Sequence, residues 1–139
     1  MAGFFFLSRQ PHARGAHLMH MDRPVYVFGS NLGGRHDLGA AVEAVRHRGA
    51  VCGQDTGVQG NSYAIPTMDE SLSALSLDQI AEGVDGFLAF ARTHPWQLFE
   101  VTPIGCGFAG YEPNDIAPMF EGAPHNVTLP RAFSDVLRV

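Results

Sequence analysis

Two stretches of the chain gather residues suited to a phosphate-bearing small molecule. The first reads Ser30-Asn31-Leu32-Gly33-Gly34-Arg35-His36-Asp37-Leu38-Gly39-Ala40-Ala41. It packs an amide, a guanidinium, an imidazole and a carboxylate into one glycine-rich loop ahead of a helix. The first N–H groups of a helix have no intrahelical acceptor, so such a loop can seat a diphosphate there and hydrogen-bond ribose hydroxyls beside it. Asp37 or His36 can also position a water. An exposed turn with Asp near a helix start uses the same residues. The second stretch is Ile104-Gly105-Cys106-Gly107-Phe108-Ala109-Gly110-Tyr111. Gly105, Gly107 and Gly110 have G-x-G-x-x-G spacing. Glycines let the backbone approach phosphate oxygens, and successive N–H groups form an anion-binding nest. A tight turn that only needs positive φ has the same requirement. A complete dinucleotide-binding fold does not fit, because fewer than thirty residues follow Gly110.

The elements around these loops read as alternating strands and helices. Val25-Tyr26-Val27-Phe28 is a short apolar run closed by Gly29-Ser30-Asn31, the form of a buried strand. Leu38, Ala41, Val42 and Val45 recur at helical spacing, and Gly49 stops that helix. Tyr63-Ala64-Ile65-Pro66 is a second strand, which Pro66 is expected to end. Ser76 and Gln79 form a capping-box pair. Behind it, Leu77, Ile80, Ala81, Val84, Phe87, Leu88 and Ala91 fall on one helical face, and His94-Pro95 closes the helix. Leu98 to Ile104 is a third strand, a short helix starts at Asn114 as N-cap, Asn126 to Leu129 is a fourth strand, and Pro130 to Leu137 is a last helix. Strand–helix alternation predicts an α/β fold with a mainly parallel sheet and helices on both faces. Ligands of such sheets bind beyond the carboxyl ends of the strands, where both glycine loops fall. The polar run from Gly53 to Ser62 suits a lid or a plain connecting loop.

Composition bounds the partners. The chain has 139 residues, enough for one domain with its own core. Residues 22–139 carry the orderly pattern; residues 1–21 lack periodicity and read as an irregular N-terminal arm, with an edge strand through Phe4–Leu7 as the other reading. The net charge of −5 argues against duplex nucleic acid, which needs clustered Lys and Arg. No apolar run reaches the ~18 residues of a membrane span. The Phe4–Leu7 patch is too short for a signal-peptide h-region, so no membrane partner and a cytoplasmic location are expected. Cys52 and Cys106 are too far apart for a metal or redox pair, and read as free thiols. The loop around Cys106 offers N–H groups that lower a thiol pKa, although a small loop residue is all the position requires. His17-x-x-His20 has no third ligand, so no metal site and no cofactor are expected.

The two loops together resemble the macro domain and its smaller relatives, including little-characterised macro-like proteins of phages and bacteria. In that family a strand ends in Asn-Ala-Ala-Asn, then a glycine loop leads into a helix of small residues. Here the stretch is Phe28-Gly29-Ser30-Asn31, followed by Gly33, Gly34, Gly39, Ala40 and Ala41. The family's second loop, Ile-Gly-x-Gly-x-x-Gly-aromatic, is matched at every position from Ile104 to Tyr111. Phe28 replaces the first Asn, and Asp22 is a loose counterpart of the family's adenine-binding carboxylate. The resemblance spans roughly residues 22–139 and is sharp only in these loops. It implies a three-layer α/β/α macro-like fold that binds ADP-ribose or a related nucleotide diphosphate, with ADP-ribosyl hydrolase activity as an extension. Asn31 would meet the distal ribose, Gly105 to Gly110 would wrap the diphosphate, and Phe108 and Tyr111 would flank the distal ribose. For hydrolysis, Asp37 would orient the water, Asn31 would fix the ribose, and His36 would serve as acid or base. The alternatives are a non-catalytic binding or interaction module, and a phosphatase acting on a nucleotide-sugar type of small molecule.

Overall fold

The computed structural model describes residues 23–37 and 39–139. The expectations for the N-terminal arm, including Phe4–Leu7 and the His17/His20 pair, and those for Asp22 and Leu38, lie outside the described residues.

The apolar run after Pro24 forms β1, Val25–Asn31, and its alternating side chains separate two clusters. Val25 and Val27 join the larger cluster, while Phe28 joins the smaller. This period-two alternation is the signature of a strand packed on both sides. Helix α1, Ala40–His47, supplies Ala41 and Ala44 to the smaller cluster. Gly49, at φ +79, turns the chain away from it. Two further strands follow, β2 (Gly57–Gln59) and β3 (Ser62–Met68). Helix α2, Leu77–Arg92, starts at the expected capping box: the Gln79 N–H donates to Ser76 Oγ at 3.2 Å, and the Ser76 N–H donates to Gln79 Oε1 at 3.0 Å. Ile80, Val84, Phe87, Leu88 and Ala91 are its buried stripe. Gly83 sits on that helix where a β-carbon would come within 3.0 Å of Ile65 Cγ2, so the glycine sets how closely α2 approaches β3. Strand β4 is Phe99–Val101, helix α3 is Pro113–Ile116 running into a 3-10 turn at Ala117–Phe120, β5 is Val127–Thr128, and α4 is Arg131–Leu137.

The sheet order is β2-β3-β1-β4-β5. All neighbours are parallel except β2, which runs antiparallel to β3. The fold is α/β with a five-stranded, mostly parallel sheet. The larger core unites β1, β3 and β4 with α2, α3 and α4 around Phe87, Phe99, Phe120 and Phe133, all nearly inaccessible. Burying each such side chain stabilises the fold by roughly 1.5–3 kcal/mol.

Several boundaries differ from the sequence expectation. Pro66 does not end β3, which continues to Met68. The antiparallel partner β2 reaches only to Gly57 opposite Ala64, so Pro66 lies beyond the end of that pairing and its missing N–H costs no β2 ladder bond. Strand β4 stops at Val101, short of Ile104, because Pro103 cannot donate and the Ile104 N–H bonds back to Thr102 O. The cap of α3 is Glu112, not Asn114: the Glu112 N–H donates to Asp115 Oδ2 at 3.0 Å, and Pro113 occupies the first helical position. Part of the Gly53–Ser62 run is strand β2, and its Gln59 is buried.

Candidate functional site

Because β1, β3 and β4 are parallel, their carboxyl ends, Asn31, Met68 and Val101, share one edge of the sheet. A cavity of about 350 Å³ opens there. The end of β1 contributes Gly29 and Asn31, the end of β3 contributes Thr67 and Met68, and the loop after β4 contributes Thr102 through Ala109. Arg35 and the start of α1, Gly39 to Ala41, complete the wall. The two glycine loops, more than sixty residues apart in sequence, thus face a common space.

Each loop has its own local cause. In the second, Gly105 adopts φ +75, a conformation side chains avoid, and a β-carbon there would stand 2.9 Å from Ile116 Cδ1. The Tyr111 N–H closes the loop on Gly105 O at 2.8 Å. Gly107 is different: its φ is not positive and a β-carbon would meet nothing within 4 Å. The fold does not need a glycine at 107; open approach to the backbone is what glycine leaves there. The N–H groups of Gly105, Gly107, Phe108 and Ala109 donate to no acceptor among the described residues. On the first loop, α1 begins at Ala40 after Gly39, and no side chain caps it. In its first turn the Val42 N–H donates to Gly39 O at 3.1 Å, while the N–H groups of Ala40 and Ala41, both at the cavity wall, donate to no acceptor among the described residues.

The first loop is shaped by Asn31. Its Nδ2 donates to Arg35 O at 2.6 Å, and its Oδ1 accepts from the Arg35 N–H at 3.0 Å. A second clamp comes from residues 51–59, which lie across the loop. The Gly53 N–H donates to Gly34 O at 2.7 Å, and Ser30 Oγ donates to Asp55 O. Gly34, at φ +69, has no room for a side chain: a β-carbon would fall 2.6 Å from the Gly53 carbonyl carbon. Gln59 sits beneath, donating Nε2 to Gln54 O at 2.7 Å and accepting from the Val51 N–H at 2.8 Å.

The predicted residues therefore separate. Gly29, Asn31, Gly39, Ala40, Ile104, Gly105, Cys106, Gly107, Phe108 and Ala109 line the cavity. Ser30, Gly33, Gly34, Gly110 and Tyr111 do not. Ser30 and Gly34 hold the 51–59 segment, and the Tyr111 hydroxyl donates to Leu75 O at 2.6 Å with its ring against the larger core. The three residues expected to act together, Asn31, His36 and Asp37, do not converge. His36 is buried, its Nε2 3.0 Å from Gln54 O and 3.2 Å from Gln59 Oε1, and its ring meets Phe28 edge-on. Both facing atoms are acceptors, so Nε2 carries the proton. Asp37 is exposed, 3.4 Å from Arg35 Nη2. Neither lines the cavity.

At Cys106 the structure agrees with a small loop residue and not with an activated thiol. Burial, then the carboxylates of Glu112 and Asp115, pushes its thiol pKa up rather than down. The thiol is a neutral part of the wall near neutral pH. Ala41 and Arg35, which belong to the first loop stretch, also line the cavity; the lining residues that the sequence did not single out are Thr67, Met68, Thr102 and Pro103. Thr67 and Met68 end a parallel strand, so the carboxyl-edge rule that found the two loops extends to them as well.

Among the described residues, no group of three or more His, Cys, Asp or Glu is placed to hold a metal ion, and no helix is long and apolar enough to cross a membrane. No protein-family model, curated protein or solved structure matches this chain.

Proposed function

We propose that this cavity binds ADP-ribose or a related nucleotide diphosphate, in a three-layer α/β/α macro-like fold. The observation that carries the reading is the set of unpaired N–H groups at Gly105, Gly107, Phe108 and Ala109, opposite the uncapped start of α1. Backbone N–H groups in a glycine loop form an anion nest, and a helix start adds a favourable dipole. Thus a protein of net charge −5 can still bind an anion. A cavity of about 350 Å³ suits a small ligand. Asn31 lines the cavity, and although both polar atoms of its amide are bound to the Arg35 backbone, its second N–H is left to donate to a ribose hydroxyl.

The geometry favours binding without turnover. A general base must come within hydrogen-bond reach of the water it activates. His36 is held beneath the 51–59 segment, and Asp37 points to solvent beside Arg35. The non-catalytic binding module is therefore the form of the proposal that these side chains support.

Isothermal titration calorimetry tests it. ADP-ribose is expected to bind more tightly than AMP or ribose. Absence of heat for every nucleotide diphosphate at millimolar concentration would overturn the reading. Release of ADP-ribose from a modified protein or nucleic acid by the pure protein would restore the hydrolase.

A further inference from the structure

We propose that Arg35 is the side chain through which the cavity selects a phosphate anion, and that Asp37 competes with the ligand for it. The inference rests on the phosphate-ligand reading above.

Its basis is the way Arg35 is held. Asn31 grips its backbone at both polar atoms, at 2.6 Å and 3.0 Å, while Asn31 itself is only 3% exposed. The root of the arginine is thus fixed at the cavity wall. Its tip is not. Among the described residues lining the cavity, Arg35 alone carries a charge at neutral pH. Among the described residues the guanidinium has one ion-pair partner, Asp37 Oδ2 at 3.4 Å, and the two side chains are 56% and 60% exposed. A single, solvated contact of this kind holds weakly.

A phosphate offers more to a guanidinium. Its oxygens match the planar fork and accept two parallel N–H bonds. The N–H groups of the second loop can hold the same anion from the opposite wall. Exchange of Asp37 for phosphate therefore favours the ligand. Asp37 stays outside the cavity, where its charge opposes an entering anion and draws the guanidinium toward the rim. This assigns Asp37 an effect opposite in sign to a water-orienting role: removing its charge strengthens binding.

The test is calorimetric titration of the full chain with ADP-ribose, with adenosine as the phosphate-free control. Arg35→Gln is expected to weaken ADP-ribose binding about tenfold or more. Arg35→Lys keeps the charge without the fork and falls between. Asp37→Asn is expected to tighten binding by about two- to fivefold, and the gain shrinks as salt is raised. Both side chains are exposed, so the variants fold, which circular dichroism checks. Wild-type binding left unchanged by Arg35→Gln overturns this inference while the backbone cradle stands. Weaker binding by Asp37→Asn, or adenosine binding as tightly as ADP-ribose, also overturns it. A wild type that binds no nucleotide diphosphate overturns this inference together with the reading beneath it.

Discussion

The ring of Phe108 lies over Gly39, where a β-carbon would make ordinary van der Waals contact with it, 3.4 Å from Cε2 and 3.5 Å from Cδ2. The two residues belong to different loops and meet at the cavity. Phe108 is 67% exposed, so the contact serves the cavity more than the core. Gly39 has φ +55 and ψ −136, a conformation that side chains avoid. Phe108→Ala is expected to leave the melting temperature nearly unchanged and to speed ligand release, as read by stopped-flow. Gly39→Ala is expected to cost about 1–3 kcal/mol of stability through backbone strain. Adding Phe108→Ala to it should recover little, because the strain lies in the backbone and not in the ring contact. Full recovery would show that the ring contact is the cause.

Two glycines of the second loop should behave in opposite ways. A β-carbon at 107 meets nothing within 4 Å and the position needs no unusual φ, so Gly107→Val should fold with a stability change within about 0.5 kcal/mol. Its ADP-ribose binding should be abolished, because the valine side chain occupies the approach to the backbone N–H groups. Gly105→Ala combines φ +75 with a 2.9 Å approach to Ile116 Cδ1, and should lose about 1–3 kcal/mol in urea denaturation. Normal ligand binding by Gly107→Val would mean the loop is a turn and not a cradle.

Gln59 should matter to the site without touching it. Its amide ties Val51 and Gln54 to the first loop, and His36 leans on both Gln54 O and Gln59 Oε1. Gln59→Ala leaves the Val51 N–H without this acceptor and removes a bond to Gln54 O. The expected loss is about 2–3 kcal/mol, measured as a shift in the urea midpoint at constant slope. Unchanged stability would show that segment 51–59 is not held by this residue.

Alkaline pH should weaken the fold. Burial raises the pKa of Tyr63 and Cys106, and of Tyr26 with help from Glu43. In each case the folded state keeps its proton at a pH where the unfolded chain begins to lose it. The stabilisation is therefore complete below the unfolded pKa values and is lost as pH rises through the folded ones. Urea midpoints should fall between about pH 8.5 and 11, beginning in the ordinary thiol range and continuing into that of tyrosine. Cys106→Ser should flatten the first part of the decline. A midpoint that rises over this range would contradict the assignment. Exposed Cys52 should also alkylate before half-buried Cys106 at pH 8.

Local pattern was enough for much of the architecture. The capping box at Ser76 and Gln79, the apolar stripe of α2, and the alternation in β1 are set by neighbours three or four residues apart in a helix, or two apart in a strand. Those short-range rules also carried the α/β reading, since strands and helices that alternate must form a largely parallel sheet. That parallel order places both glycine loops at one edge. Boundaries were less legible where a partner decided them. Pro66 can stay inside β3 only because β2 ends at Gly57, and the run containing Gln59 becomes a strand only because β3 lies beside it.

The chemistry of the site depended on contacts that sequence spacing does not encode. Asn31, His36 and Asp37 lie within seven positions, yet buried hydrogen bonds draw His36 under segment 51–59 and leave Asp37 in solvent. Gly34 and Gly107 look alike in the sequence. The first is a glycine because Gly53 crosses it, while the second stands in open space. Residue types and periodicity determined the helices, the parallel strands and the edge that bears the loops, but not strand β2. Tertiary structure alone decided which polar groups are spent on holding the loops together and which remain free for a ligand, because each buried donor or acceptor must find its partner wherever the chain brings one.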